Sequence, residues 1–493
     1  MINNFRSKKL LYILINIGLL FIVGLLVLKT RDINSMSESG CLFWIKIYGV
    51  CGWISLGIAL YSWTKLRKEF ICLYNLFLLL LYLFTYAQCL LFVFDLIPEI
   101  ISIFRYSPKC DILNAEMFTI LSLICFHIGA LICCKKPNLD NYHIIKSTNN
   151  SALMNTAIKK VGLIFLAFSA PSFFYNLGSA IIIFLTKGYR ALYGYDEASG
   201  LSLSVLDKVV NITSDYFIPA LICLLIAYKS SRKKRNIILY LLYIEIAIGL
   251  FLGGRGNAIA LLLMILVIHH YTVKQITFRK ALKYSLYGYF LISFLTVIAQ
   301  VRGEMNPSIL KYILVFFNSF GKENLFITAI AEMGFTLYPL IMIMKIVPVS
   351  YGFLYGKSYL YSFTSIIPNL GFWDIHPATV YSRGGVWLMD VLNLSFGPGY
   401  TACADAFRNF GWWGFWILTL FGMLFGKIYS SVDKNTINNR PEIFAIVMIF
   451  AYSTLMFVRG DNVYLVRPTF YIVLPIFIMI KLIYNGLIKS NSI

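Results

Sequence analysis

The chain is organised by a series of apolar stretches, each near the roughly 20 residues that a helix needs to cross about 30 Å of hydrocarbon. Twelve are read from the sequence: 10 to 28, 41 to 63, 70 to 94, 117 to 134, 161 to 186, 205 to 228, 237 to 252, 257 to 271, 284 to 299, 409 to 427, 442 to 458 and 466 to 485. Lipid offers no water to peptide groups, so a crossing stretch must be helical, and the chain is expected to be an all-α polytopic membrane protein. Composition agrees: of 493 residues, 59% are hydrophobic and 13% charged, against about a quarter charged in a soluble domain. A water-soluble globule, a disordered tail, a coiled coil and a small disulfide scaffold are thereby excluded.

The net charge of +21 follows topology. Short basic gaps alternate with long gaps poor in Lys and Arg. The basic ones hold Lys8 and Lys9; Lys65, Arg67 and Lys68; Lys135 and Lys136; Arg232 to Arg235; Arg279 and Lys280; and Lys427, Lys434 and Arg440. By the positive-inside rule these gaps and both termini are cytoplasmic. The run at 231 to 235 is read as a solvated cytoplasmic stop, not a nucleic-acid site. Lys8 and Lys9 precede the first run, but no small-residue cleavage site follows it, so it is read as a retained span.

Of the ten cysteines, most lie inside apolar runs, where they act as small hydrophobes. Cys110 and Cys403 fall in outer loops and are the one pair weighed for a disulfide. Lys46 and Glu245 lie within spans, where a charge needs a partner; pairing with each other is one expectation, an ion path the other.

Between the ninth and tenth runs lie residues 300 to 408, too long for a simple connection and therefore expected to be structured. The domain reading is a bundle at 1–299, this loop at 300–408 and a second set of spans at 409–493. Within the loop, 324 to 347 is apolar but interrupted by Glu332, Pro339 and Lys345, and is expected to lie on or dip into the membrane. The aromatic residues from Tyr351 to Trp387 suit a membrane interface and equally the faces of sugar rings.

The chain's four Arg-Gly steps, Arg255-Gly256, Arg302-Gly303, Arg383-Gly384 and Arg459-Gly460, all fall at or beyond an outer boundary. Arginine binds phosphate oxygens through a planar fork, and a following glycine lets backbone come close to a ligand. Together with Arg408 they point to an outward-facing site for an anion such as a lipid pyrophosphate, the alternative being arginines that snorkel to lipid headgroups. Among the outer carboxylates, which include Asp390 and Asp461, Glu332 and Asp405 lie in apolar surroundings suited to a general base. Glu332 is first choice, then Asp405, then His376, the one histidine expected outside; salt bridging or a structural role is the alternative for each. No nucleotide loop or metal-ligand spacing is present, so no cofactor and no metal are expected, and the energy must arrive with the substrate.

The segments `FLGGRG` at 251–256, `VRGE` at 301–304, `AEMGFT` at 331–336, `YGKSYL` with `IIPN` at 355–369, `FGPGY` with `DAFRNFGWWG` at 396–414 and `VRGD` at 458–461 resemble, in this order, the Wzy O-antigen polymerases. Over the amino-terminal half the resemblance is one of topology, with `GYRALYG` at 188–194. This chain carries Asp405 where the pattern carries Glu. The resemblance implies a glycosyltransferase of the GT-C type in the bacterial inner membrane. It would join undecaprenyl-pyrophosphate-linked oligosaccharides at the periplasmic face, with lipid pyrophosphate leaving. Arg255, Arg302 and Arg459 would then hold pyrophosphate, with Arg383 and Arg408 as further candidates. Membrane lipids are expected partners, and a chain-length regulator protein is a candidate one. The competing readings are an O-antigen ligase and a flippase or ion-coupled transporter.

Overall fold

The computed structural model describes residues 2–30, 37–98, 101–137, 148–187, 205–277, 324–369, 372–394 and 397–491, with single positions at 192 and between 279 and 317. Among the described residues every regular element is helical. In chain order they begin with α1 (Ile2–Thr30), α2 (Glu38–Arg67), α3 (Leu73–Phe92) and α4 (Lys109–Cys133). Next come α5 (Thr148–Lys187), α6 (Val205–Ser214), α7 (Phe217–Ala227), α8 (Arg232–Phe251) and α9 (Arg255–Thr272). Then follow α10 (Leu325–Gly334), α11 (Tyr338–Ile346), α12 (Lys357–Ser362), α13 (Gly384–Val391), α14 (Ala402–Phe410) and α15 (Ile417–Tyr429). The series closes with α16 (Pro441–Ser453) and α17 (Leu474–Asn491).

Ten helical stretches among the described residues are long and apolar enough to cross a membrane, with a shorter apolar one at Gly256–Thr272. The chain is thus a polytopic membrane protein. The count differs from twelve for physical reasons. The run at 237–252 belongs to α8, whose first turn is Arg232, Lys233, Lys234 and Arg235, which leaves too short an apolar length. The run at 284–299 lies largely outside the described residues. Conversely, Leu325–Ile346 is long enough to cross, because the expected interruptions do not break it: Pro339 sits in the first turn of α11, where it forfeits no helical N–H bond.

Two compact units interleave along the chain. The first comprises Met1–Asn138, Ile327–Asp433 and Leu455–Arg467; the second comprises Leu139–Phe326, Lys434–Thr454 and Pro468–Ile493.

In the first unit α4 is buried against α2, α3 and α15. Close approach of α4 and α15 needs glycine: a Cβ at Gly422 would lie 1.9 Å from the Phe126 carbonyl oxygen and one at Gly129 2.0 Å from that of Thr419, the small-residue packing of helices in lipid. Polar side chains at heptad spacing on α2 find partners across the bundle. Tyr48 bonds Thr30 at 2.9 Å, Ser55 bonds Tyr82 at 2.9 Å and Ser62 bonds His127 at 2.7 Å.

One end of this unit is basic. Lys9 Nζ donates to the Ile132 carbonyl at 2.7 Å, and Arg67 donates to the carbonyls of Lys135 and Val432 at 2.6 and 2.7 Å. These bonds gather the start of α1 with the ends of α2, α4 and α15. At the opposite end a disulfide joins Cys41 to Cys110. The weighed Cys110–Cys403 pairing is therefore overturned; Cys403 is a free, buried thiol on α14.

The stretch α10–α11 is fixed at that opposite end through both its halves. Gln88, one turn from the end of α3, donates to the Ala331 carbonyl at 2.8 Å. Lys345 pairs with Asp111, in the first turn of α4, at 2.8 Å. Lys46, weighed for a pairing with Glu245, bonds Asp95 at 2.8 Å.

In the second unit α5 packs on α6, α7 and α17. Lys229 Nζ ties the end of α7 to the Ile437 carbonyl at 2.9 Å. A π-helical turn at Thr469–Val473 precedes α17, and the Tyr471 carbonyl within it accepts from the Tyr216 hydroxyl.

Candidate functional site

At the end of the first unit opposite the basic one, several segments singled out in the sequence converge. Helix α14 begins at Thr401, whose hydroxyl accepts from Ala404 N at 3.1 Å, the N-cap bond that satisfies an otherwise orphaned amide. Asp405, Arg408 and Asn409 stand three and four residues apart on this helix and share one face. All three are buried.

The loop before α12 is held to the end of α14 by backbone bonds, Leu354 N to Arg408 O at 3.1 Å and Tyr355 N to Asn409 O at 3.0 Å. That register delivers Ser358, whose hydroxyl donates to Asp405 Oδ2 at 2.8 Å. The Tyr400 hydroxyl reaches Asp405 Oδ1 at 3.4 Å. Burial, with Asp405 beside it, pushes the Tyr400 phenol well above its ordinary pKa, so it remains a donor.

Arg408 lies flat on Trp387 of α13, its guanidinium carbon 3.7 Å from the ring centroid. Its Nη1 is buried without a hydrogen-bond partner. Among charged groups it is within electrostatic reach of Asp405 and Asp461.

Arg383 approaches Asp461 from the other side, Nε to Oδ2 at 3.9 Å, and is itself partly exposed while Asp461 is not. Asp461 Oδ1 also accepts from Val463 N at 3.1 Å. Burial raises the Asp461 carboxyl to about 6, against the opposing pull of Arg383, the Val463 and Gly384 amides and Arg408. Two of the four Arg-Gly steps thus meet here, 383–384 and 459–460, with Asp461 next in sequence to the second. The glycines have a packing reason: a Cβ on Gly384 would sit 2.2 Å from the Tyr400 ring, and one on Gly460 2.4 Å from Tyr464.

Arg459 is exposed and lies 5.7 Å from the Phe84 ring centroid. Glu332 is half-buried on α10. His376 is part of the loop's scaffold: Nδ1 accepts from Ala378 N at 3.1 Å and Nε2 bonds the Ile367 carbonyl at 2.9 Å, so both ring nitrogens are committed. Arg255 opens α9 in the second unit, and Arg302 lies outside the described residues. Sequence reasoning gave no role to Ser358, Tyr400, Asn409 or Asp461. The spacing of Asn409 from Asp405 on one helix, and an acid directly after an Arg-Gly step, were the available signals.

The described geometry is a set of two arginines and two aspartates, formally neutral, with one guanidinium N–H unsatisfied. It can receive an anion beside an aromatic face. The family model of the O-antigen polysaccharide polymerase Wzy matches residues 9–491, nearly the whole chain. The chain belongs to that family. It is therefore assigned a polymerase role in O-antigen synthesis, as a multi-pass membrane protein using lipid-linked oligosaccharides. No curated protein and no solved structure matches it.

Proposed function

We propose that the chain is a GT-C-type glycosyltransferase that lengthens O-antigen on undecaprenyl pyrophosphate at the periplasmic face of the bacterial inner membrane, with both termini cytoplasmic. The observation that carries the reading is the buried, stacked Arg408 with a free N–H, placed with Arg383 at the end of the first unit opposite its basic end. Positive charge faces the cytoplasm, and disulfides persist in oxidising compartments; the basic end and the Cys41–Cys110 bond support one orientation.

In the reaction a hydroxyl of the incoming lipid-linked repeat attacks the anomeric carbon of the growing chain. The new glycosidic bond forms as the bond from that carbon to the pyrophosphate oxygen breaks. The hydroxyl proton passes to a carboxylate, and the pyrophosphate departs with the electron pair. Arg383 and Arg408 stabilise the charge that develops on it, with Arg459 at the edge. Glu332, half-buried, takes the proton; Asp405, sealed under hydroxyl donors, holds the network beneath Arg408. Arg255 and Arg302 remain pyrophosphate candidates on sequence grounds alone.

The test is a deletion strain complemented by variants. Loss of the gene should leave lipopolysaccharide carrying one repeat, and Glu332→Gln at normal abundance should do the same. Complete loss of O units on deletion would contradict a polymerase, and full-length chains from Glu332→Gln would remove Glu332 as the base.

A further inference from the structure

We infer that Ser358 is a positioning residue which fixes Asp405 and joins the two arginine-bearing segments of the site. The inference rests on the reading of this cluster as the pyrophosphate site.

Ser358 is wholly buried, and its hydroxyl carries one proton. Asn409 Nδ2 donates to Ser358 Oγ at 2.7 Å. The oxygen is thus an acceptor on that side, and its own proton is left for Asp405 Oδ2 at 2.8 Å. The Asn409 amide has a set orientation, because Oδ1 accepts from Gly356 N at 2.9 Å while Nδ2 also donates to the Asp405 carbonyl at 2.8 Å. Donation therefore runs one way, from Asn409 through Ser358 to the carboxylate. The Ser358 carbonyl accepts from the Ser382 hydroxyl at 2.7 Å, and Ser382 directly precedes Arg383. One residue thus links α14, which carries Arg408, to the segment that carries Arg383.

Removing the hydroxyl leaves Asp405 Oδ2 without its donor in a buried site, so the carboxylate, within electrostatic reach of Arg408, loses its fixed setting. The experiment uses the full-length protein in membranes, supplied with a lipid-pyrophosphate-linked repeat, and compares Ser358→Ala, Asp405→Asn and the double variant. Ser358→Ala is expected to lower kcat/KM by roughly ten- to a hundredfold, chiefly through the donor's KM. Added to Asp405→Asn, it should cost less than about twofold more, because a residue acting through another is non-additive with it. Ser358→Cys, of similar size and weaker as a donor, should fall between; it carries the comparison should the alanine variant fail to reach the membrane. A wild-type rate for Ser358→Ala, or a double variant that loses the product of the single effects, overturns the inference alone. A wild-type rate for Asp405→Asn overturns the reading of the cluster and the inference with it.

Discussion

Arg408 stacks on Trp387 at 3.7 Å, so its planar cation is fixed by a ring on one face while Nη1 stays open to a partner. Such a contact contributes about 0.5–2 kcal/mol depending on desolvation, and it orients the fork that an anion would meet.

Arg408→Lys should therefore damage polymerisation although the charge stays. An ammonium neither stacks flat nor forks. A drop in kcat/KM for the donor of roughly tenfold or more is expected, read in membranes with protein level checked by immunoblot. Normal chain length at normal abundance would remove Arg408 from the site.

Gly384→Ala should fail for a different reason. The added methyl would overlap the buried Tyr400 ring at 2.2 Å, and overpacking of this kind costs about 1–3 kcal/mol. The thermal midpoint of the detergent-solubilised protein should fall and the polymer ladder shorten. Gly385→Ala is the control, since its Cβ would meet ordinary contacts at 3.5 Å and beyond. Equal behaviour of the two variants would contradict the packing account.

Asp461 sets a pH dependence. Its carboxyl is raised from 3.8 to about 6, by burial above all. At neutral pH it is ionised and faces Arg383; as pH falls through about 6 it takes a proton and Arg383 loses its counter-charge. For folding the sign is opposite. The folded chain binds this proton more tightly than the unfolded one, so the group's stabilising contribution is full below the ordinary carboxylate value and is lost as pH rises through about 6. Polymerisation rate should show an acid limb near that pH, and Asp461→Asn should lack it. The same limb in the variant would assign it to another group.

The Cys41–Cys110 bond closes a separation of 69 residues and joins α2 to α4 beside the Asp111–Lys345 pair. Loss of a native disulfide from a small secreted domain costs about 2–5 kcal/mol. Cys41→Ser and Cys110→Ser should each lower the thermal midpoint, and the double variant should be no worse than either. Maleimide-polyethylene glycol applied to untreated membranes should modify neither cysteine, and after reduction should reach both from the outer side. Modification before reduction, or from the cytoplasmic side alone, would contradict the bond or the orientation.

Part of the site was legible in the sequence, residue by residue. Arg383 was readable because it opens an Arg-Gly step at an outer boundary and Arg408 because a phosphate-binding fork stands at the same level, and Asp405 because an acid in apolar surroundings is conspicuous. Ser358 and Asn409 were not: a serine and an asparagine have many uses, and only the pairing of 354–355 with 408–409 brings `YGKSYL` under `DAFRNF`. His376 illustrates the opposite case, a residue that looks chemical in sequence and is used to hold a loop.

By itself the sequence determined that this chain is a helical membrane protein, where most of its spans lie and which of its gaps are basic. These follow from local quantities, the apolar length of a segment and the charge of its flanks, which bilayer thickness converts into structure. Tertiary structure alone decided that Cys110 pairs with Cys41, that Lys46 answers Asp95, and that Asp461 joins two Arg-Gly steps. Contacts between residues tens to hundreds apart depend on which helix faces meet, and periodicity along one strand of sequence does not contain that information.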